Sequence, residues 1–303
     1  MRNLLSAILV IMSLVCFGAV GFAQESKDIN LKNIGFTDMS LESKHNDIRA
    51  LFRNMNKYTT RHQLDKIMNM YSDDYVNFDG VDKKKLTQNL KEAWIAYPNV
   101  KYKQKILFLD AGVDFAKVVT LETVKGDTTM SVDYLPGYGY IDAEAILVYH
   151  LKKVAGEWKI YSDSTIHEQS SLKYGIAKDI KMSIDAPGKT YAGSEYTASA
   201  RVDVPKEYVA MVSINNEMIK FPMGKPEDAF RTIKADTVQE RILRANKEDK
   251  NENAFASIGI AEASINENDV NIKIKGIAIL SKRVNILKKV TQPESDVKKN
   301  ETI

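Results

Sequence analysis

The sequence predicts an α+β protein: a cone-shaped domain of helices on a curved antiparallel sheet, followed by an all-β, immunoglobulin-like sandwich. Three observations lead to this prediction. Apolar residues recur at helical spacing between residues 48 and 97, strand-like runs replace them from Tyr102 onward, and short alternating runs separated by turn residues fill the last third of the chain. Helices followed by strands are typical of α+β domains, and many short strands at even spacing are typical of a sandwich.

The first 23 residues have the pattern of a secretory signal peptide. Arg2 precedes an apolar run from Leu4 to Phe22, and the small residue Ala23 stands where cleavage would occur. We therefore expect export, to a bacterial periplasm or to the cell surface or medium, with membrane attachment only if this segment is retained. The single cysteine, Cys16, lies inside it, so the mature chain would be cysteine-free.

Three amphipathic helices are expected at the start of the first domain, which we place at residues 40–174 after a polar spacer at 24–39. Asp82 is expected to cap the third helix, and Pro98 to stop it. The apolar residues at helical spacing are Ile48, Leu51, Phe52 and Met55, then Leu64, Ile67, Met68 and Tyr71, then Leu86, Leu90, Trp94 and Tyr97.

A β-hairpin is predicted at residues 144–168, where two runs of β-branched and aromatic residues surround a turn at residues 154–157 that contains Gly156. The two-residue period of a strand places Trp158 and Ile160 on the core face, together with Ser162, Ser164 and Ile166, and places Asp163 on the other face. Residues 126–141, rich in glycine and tyrosine, are expected to form a loop over the mouth of the cone.

The sequence Gly156-Glu-Trp-Lys-Ile160 after an apolar strand, preceded by amphipathic helices, resembles the nuclear-transport-factor-two-like superfamily, with its SnoaL-like and ketosteroid-isomerase-like branches. The resemblance covers about residues 40–174. It implies a cone interior that binds or converts a small molecule, and a homodimer formed through the outer face of the sheet. Many SnoaL-like members carry histidines where this chain has Ser162 and Ser164, and this departure favours a non-catalytic protein.

The C-terminal part is expected to form the sandwich over residues 178–290, after a linker at 170–178. Tyr196 to Val204 alternates apolar and polar residues, as a half-buried strand does, and similar short runs follow it. Residues 291–303 are expected to be a disordered tail.

Candidate site residues follow from the resemblance, because ketosteroid-isomerase-like enzymes use an Asp base beside a tyrosine and a protonated carboxylic acid in an apolar interior. The simpler interpretations, which we favour, make the tyrosines core aromatics and Asp79 a turn residue. The four histidines show no metal spacing, so we expect neither a metal nor a cofactor. The catalytic candidates are Asp79 and Asp163, and the ligand-binding candidates are Tyr71, Tyr75, Trp94, Tyr149, Ser162 and Ser164.

Charge excludes a nucleic-acid binder, because 43 Lys and Arg residues are nearly matched by 40 Asp and Glu, for a net charge of +3. We expect an exported, non-catalytic binding protein whose cone domain holds a small apolar or amphipathic ligand or a protein partner. Two alternatives stay open: a cofactor-free lyase or isomerase of SnoaL-like type that uses Asp79 or Asp163 as base, and a structural component of an envelope assembly.

Overall fold

The computed structural model describes residues 45–132, 135–219, 231–233, 238–266 and 269–288. The predicted signal peptide, spacer and C-terminal tail lie outside these residues, so that export stays a prediction. The helices are α1 (Asn46–Thr60), α2 (Leu64–Met68) and α3 (Lys83–Ala96). The strands are β1 (Lys101–Ala111), β2 (Phe115–Val132), β3 (Leu135–Val154), β4 (Glu157–Gly175), β5 (Met182–Asp185), β6 (Lys189–Tyr191), β7 (Glu195–Val202), β8 (Val209–Met218), β9 (Arg231–Ile233), β10 (Val238–Arg244), β11 (Glu252–Asn266) and β12 (Asp269–Leu287).

Helix α3 begins as predicted at its capping residue. The carboxylate of Asp82 accepts a hydrogen bond from the backbone N–H of Lys85 at 2.7 Å, which satisfies one of the N–H groups that a helix leaves unpaired in its first turn. Leu86, Leu90 and Trp94 are buried on one side of the helix and pack into the core beneath it. The helix ends at Ala96, because Pro98 cannot continue it.

We expect Asp82→Ala to lower the free energy of unfolding by about 1 kcal/mol, because the N–H of Lys85 loses its acceptor. Urea unfolding followed by circular dichroism measures this change. Lys91→Ala, an exposed substitution in the middle of the same helix, serves as the control and should change stability by less than about 0.5 kcal/mol. Equal effects of the two substitutions would contradict the capping role.

One antiparallel sheet runs through most of the chain. Its nine strands in the described residues follow the order β1-β2-β3-β4-β12-β11-β8-β9, with β6 beside β12, while β10, β7 and β5 form a second sheet. The strands β1–β4 join the C-terminal strands of this sheet through the pairing of β4 with β12. In this pairing Leu172 lies opposite Ile279 and Gly175 lies opposite Gly276. The two strands are too close there for a residue with a side chain, because a Cβ atom on Gly175 would lie 2.2 Å from the carbonyl oxygen of Lys275.

The predicted fold class, an α+β cone domain followed by an immunoglobulin-like sandwich, is therefore wrong. Strand dominates the described residues, and the sheet does not end at β4, because β12 satisfies the hydrogen-bonding groups along its edge. The predicted linker at 170–178 is the end of β4 followed by a 3-10 turn. The predicted loop at 126–141 extends β2 and β3, apart from residues 133 and 134, which lie outside the description.

The predicted hairpin is confirmed. Val154 pairs with Glu157 at the end of the β3–β4 ladder, and the two residues between them, Ala155 and Gly156, both have positive φ angles, 50° and 84°. Two-residue turns of this kind match the twist of the strands that they join. The hairpin brings Trp158 beneath α1, where its indole N–H donates to the carboxylate of Asp47 at 2.7 Å.

Two apolar cores form. The first lies between the helices and the inner face of β1–β4, and it also receives Phe255 and Ile279 from the C-terminal strands. The second lies between the large sheet and the second sheet, around residues such as Ala198, Val212 and Ile258. A smaller cluster that includes Val119 and Val148 marks the outer face of β2 and β3. Of the helices in the described ranges, none is long and apolar enough to span a membrane.

Candidate active site

A group of polar side chains interrupts the first core on the inner face of β2, β3 and β4. Glu122 on β2, Tyr149 on β3 and Asp163 on β4 are 0%, 0% and 1% exposed. Glu122 faces the core because it alternates with Leu121 and Thr123 and shares its face with the buried Val118 and Val124. Acidic groups at such positions must be hydrogen-bonded or neutral, since burying a bare charge is costly.

Asp163 reaches the inner face through a β-bulge. In β3, Leu151 lies opposite Ile160 and the preceding residue, His150, lies opposite Ser162. Tyr161 is therefore an extra residue in β4. The bulge reverses the alternation, and Asp163 comes to lie directly opposite Tyr149.

The predicted facing of β4 is therefore wrong beyond Ile160. Ser162 and Ser164 are only partly buried, and Ser164 lies opposite Val148, which belongs to the outer cluster. The hydroxyl of Ser162 donates to the backbone carbonyl of Val76 at 2.8 Å.

The carboxylate of Asp163 is bound by a tyrosine. The hydroxyl of Tyr75 donates to its Oδ2 at 2.5 Å, and the backbone N–H of Phe78 donates to its main-chain oxygen at 2.9 Å. Burial raises the pKa of Asp163 to about 6, although the hydrogen bond from Tyr75 favours the ionised form. Asp163 is thus ionised at neutral pH in an apolar environment, which is the state required of a general base.

Glu122 has the opposite protonation state. Its Oε1 accepts hydrogen bonds from Gln104 Nε2 at 2.9 Å, from Thr120 Oγ1 at 2.8 Å and from Tyr149 at 2.8 Å. Its Oε2 has no hydrogen-bond partner in the described part of the chain. Burial, with a smaller effect of the negative charge of Asp163, raises its pKa to about 8 even though the three donors favour the ionised form. Glu122 is therefore protonated at neutral pH, and because three donors occupy Oε1, we place its proton on Oε2.

Aromatic rings close the site from the helical side. The ring of Tyr71 meets that of Tyr75 edge-on with centroids 4.7 Å apart, and Phe52 of α1 meets Tyr149 in the same way at 5.2 Å. Trp94, another predicted ligand-binding residue, stacks instead on His62 at 4.7 Å. Of the predicted site residues, the structure brings Tyr71, Tyr75, Tyr149 and Asp163 together.

Asp79 belongs to a second polar cluster, beside the first. Its Oδ1 accepts from Arg283 Nη2 and from Asn251 Nδ2, both at 2.8 Å. Burial alone would raise the pKa of Asp79, but the charge and hydrogen bond of Arg283, with the hydrogen bond of Asn251, hold it below its usual value. Glu168, whose carboxylate is 4.0 Å from Arg283, is also buried, and burial raises its pKa to about 7. Asp79 is paired with a cation and is a poor base.

Glu122, Glu168 and Arg283 were not predicted as site residues. The sequence contains one signal for the first of them: Glu122 is the only acidic residue in the apolar run 115–124, at a position that alternation turns inward. Arg283 lies near the end of β12, more than 200 residues from Asp79, and nothing in its local sequence connects the two. Within the described ranges, no group of three or more His, Cys, Asp and Glu side chains could hold a metal ion.

Comparison with known proteins gives structural neighbours only. No protein-family model matches the chain, and no curated protein matches it by sequence. Hexachlorocyclohexane dehydrochlorinase LinA-type3 from Novosphingobium barchaimii is similar at 13% identity and a TM-score of 0.34, over 40% of this chain and 83% of its own. A LinA Type2 dehydrochlorinase is similar at 14% identity and a TM-score of 0.34, over 40% of this chain and 82% of its own. A scytalone dehydratase candidate from Novosphingobium aromaticivorans is similar at 12% identity and a TM-score of 0.33, over 40% of this chain and 80% of its own.

At these identities and TM-scores the neighbours assign no role to any residue of this chain, and its chemistry is argued from its own geometry. These similarities cover about 40% of the chain, and the resemblance noted at residues 156–160 stays a prediction.

Proposed function

We propose that this protein is a cofactor-independent lyase that removes water from a small, largely apolar β-hydroxy carbonyl compound, with Asp163 as general base and Glu122 as general acid. One observation carries the proposal: two buried carboxyl groups, on the strands β4 and β2 that flank β3, have pKa values of about 6 and about 8, on either side of neutrality. Environments that separate the pKa values of neighbouring acids are typical of an acid and base pair. The proposal takes the catalytic alternative over the non-catalytic binder expected from the sequence.

The reaction needs one proton removed and one delivered. Asp163 takes the proton from the carbon next to the carbonyl, the electron pair of that C–H bond forms the carbon–carbon double bond, and the bond to the hydroxyl group breaks. Glu122 donates its Oε2 proton to the departing hydroxyl, which leaves as water. Because Glu122 has the higher pKa, the proton taken by Asp163 returns to Glu122 and resets the pair.

Tyrosines orient both carboxyl groups. Tyr75 fixes one oxygen of Asp163 and leaves the other for the substrate proton, and Tyr149 holds Glu122 by its Oε1. In the described conformation both carboxyl groups are buried beneath aromatic rings, so substrate entry requires movement of α1, which carries Phe52, or of the segment after α2, which carries Tyr71. The apolar surroundings favour an apolar substrate.

The pH dependence of turnover tests this proposal. With 4-hydroxy-4-phenylbutan-2-one as the probe, the absorbance of the conjugated enone product reports dehydration. We expect a bell-shaped profile, because the rate rises through about pH 6 as Asp163 ionises and falls through about pH 8 as Glu122 loses its proton. Glu157→Gln, an exposed substitution in the β3–β4 turn, should leave the profile unchanged. A rate equal to that of buffer at every pH, with this probe and with related hydroxy ketones, would refute the proposal.

A further inference from the structure

The segment from Tyr75 to Gly80 lies along the bulged part of β4 and carries the tyrosine that binds Asp163. The backbone N–H of Val76 donates to the carbonyl oxygen of Tyr161 at 3.3 Å, and that of Phe78 donates to the carbonyl oxygen of Asp163 at 2.9 Å. The hydroxyl of Ser162 donates back to Val76. The distance between Tyr75 and Asp163 therefore depends on how firmly this segment is held.

The other end of the segment is held by the C-terminal strands. Asp79 accepts from Arg283 of β12 and from Asn251, which precedes β11. Both partners are themselves oriented: Arg283 Nε donates to the side chain of Asn285 at 2.9 Å, and Asn251 Oδ1 accepts from the backbone N–H of Ile286 at 3.0 Å. The side chain of Arg283 is only 3% exposed, so its ion pair with Asp79 is shielded from water and salt.

We propose that Arg283, carried by β12, is a positioning residue for the Tyr75–Asp163 pair and acts through Asp79 and the 75–80 segment. The inference deepens the proposed function and rests on it for its catalytic meaning, but the positioning itself can be measured without a substrate. It gives the C-terminal strands a part in the site, since the segment before α3 supplies Asp79 and β12 supplies the cation that holds it.

The charges around Asp163 set the direction of the expected change. Three groups change the pKa of Asp163 directly: Tyr75, Asp79 and Arg283. Two further buried acids are coupled to this group, Glu122 to Asp163 itself and Glu168 to Arg283 and Asp79. Arg283 favours the ionised form of Asp163 and Asp79 disfavours it. Removing the cation while Asp79 stays ionised raises the pKa of Asp163, and removing Asp79 lowers it.

The experiment compares wild-type protein with Arg283→Met, Asp79→Asn and the double variant, with the carboxyl carbon of Asp163 titrated by NMR. We expect the pKa of Asp163 to rise by about 1 unit in Arg283→Met and to fall in Asp79→Asn. The amides of Val76 and Phe78 should exchange with solvent about tenfold faster in Arg283→Met, while those of Val119 and Val148 in the outer cluster stay protected.

Arg244→Met is the matched control, because it removes an Arg–carboxylate pair, with Glu195, in which both side chains are more than half exposed. It should leave Asp163 and both amides unchanged. Since Arg283→Met leaves a buried carboxylate unpaired, that variant alone could fail to fold; the double variant removes both charges and keeps the amide-exchange test available.

An unchanged Asp163 titration together with unchanged Val76 and Phe78 exchange, in whichever of the Arg283 variants fold, would overturn the proposal. A shifted titration and faster exchange in a protein that never dehydrates a hydroxy ketone would support the positioning role and reject only the proposed lyase activity.

Discussion

Replacing Asp163 by asparagine should lower the rate of dehydration by about 10²- to 10⁴-fold, the range that a positioned general base contributes. Asparagine keeps the shape of the side chain, and its carbonyl oxygen can still accept the hydrogen bond from Tyr75. What it cannot do is take a proton from carbon. The fold should survive, because the substitution removes a charge from a buried position rather than adding one.

Initial rates over a range of hydroxy ketone concentrations measure this effect. The loss should fall on kcat, with KM nearly unchanged, because the base acts in the transition state and contributes little to ground-state binding. Asp74→Asn, which neutralises an exposed carboxylate between α2 and α3, provides the comparison and should retain wild-type rates. If Asp163→Asn turned over as fast as Asp74→Asn, the base would have to be a different residue.

Local chemistry made part of the fold predictable. The hairpin at residues 154–157 follows from its turn, since glycine accepts a positive φ and Ala155 has only a small side chain to accommodate there. The cap at Asp82 follows from its position before an amphipathic run. Both features are decided by residues within a few positions of each other, and a sequence displays such neighbours directly.

The facing of Asp163 could not be predicted in the same way. A strict two-residue period turns Asp163 away from Trp158, and only the extra residue at Tyr161 turns it inward. Nothing in the residues 158–166 marks a bulge. This also explains why the predicted function is wrong about the inner face. Serines at 162 and 164 suggest that this face has no catalytic polar group, whereas the bulge places Asp163 there.

The pairing of β4 with β12 was hidden for a different reason. Strand order depends on contacts between residues far apart in the chain, and both predicted halves had enough apolar surface to suggest separate cores. Gly175 and Gly276 permit the close approach of the two strands, but single glycines occur in many strand contexts and do not reveal a partner. Arg283 and Asp79 meet as a consequence of that pairing.

Glu122→Gln should make the protein more stable at alkaline pH by several kcal/mol while changing little at pH 5. The folded-state pKa of Glu122 is raised from 4.5 to about 8, so folding favours its protonated form. Its contribution to stability is therefore complete below about pH 4.5 and is lost as the pH rises through about 8. The pKa values of Asp163 and Glu168 are also raised, to about 6 and about 7, so these two groups likewise stabilise the folded protein more at low pH than at high pH.

Glutamine resembles the protonated acid but cannot ionise. Its amide oxygen can accept from Gln104, Thr120 and Tyr149, and its NH₂ group takes the place of Oε2, which has no hydrogen-bond partner in the described residues. A shift of between three and four pKa units corresponds to an upper bound of about 5 kcal/mol, and we expect about 2 to 5 kcal/mol at pH 9.

Urea unfolding at pH 5, 7 and 9 measures the difference, with Glu92→Gln on the exposed face of α3 as the control that should give no such trend. A Glu122→Gln variant destabilised equally at all three pH values would mean that the carboxyl group is ionised and paired throughout, and it could not then act as an acid. The expected result is a Glu122→Gln variant that is more stable than wild type only at high pH and no longer dehydrates the probe. This result would show that the group that lowers stability at high pH is also required for catalysis.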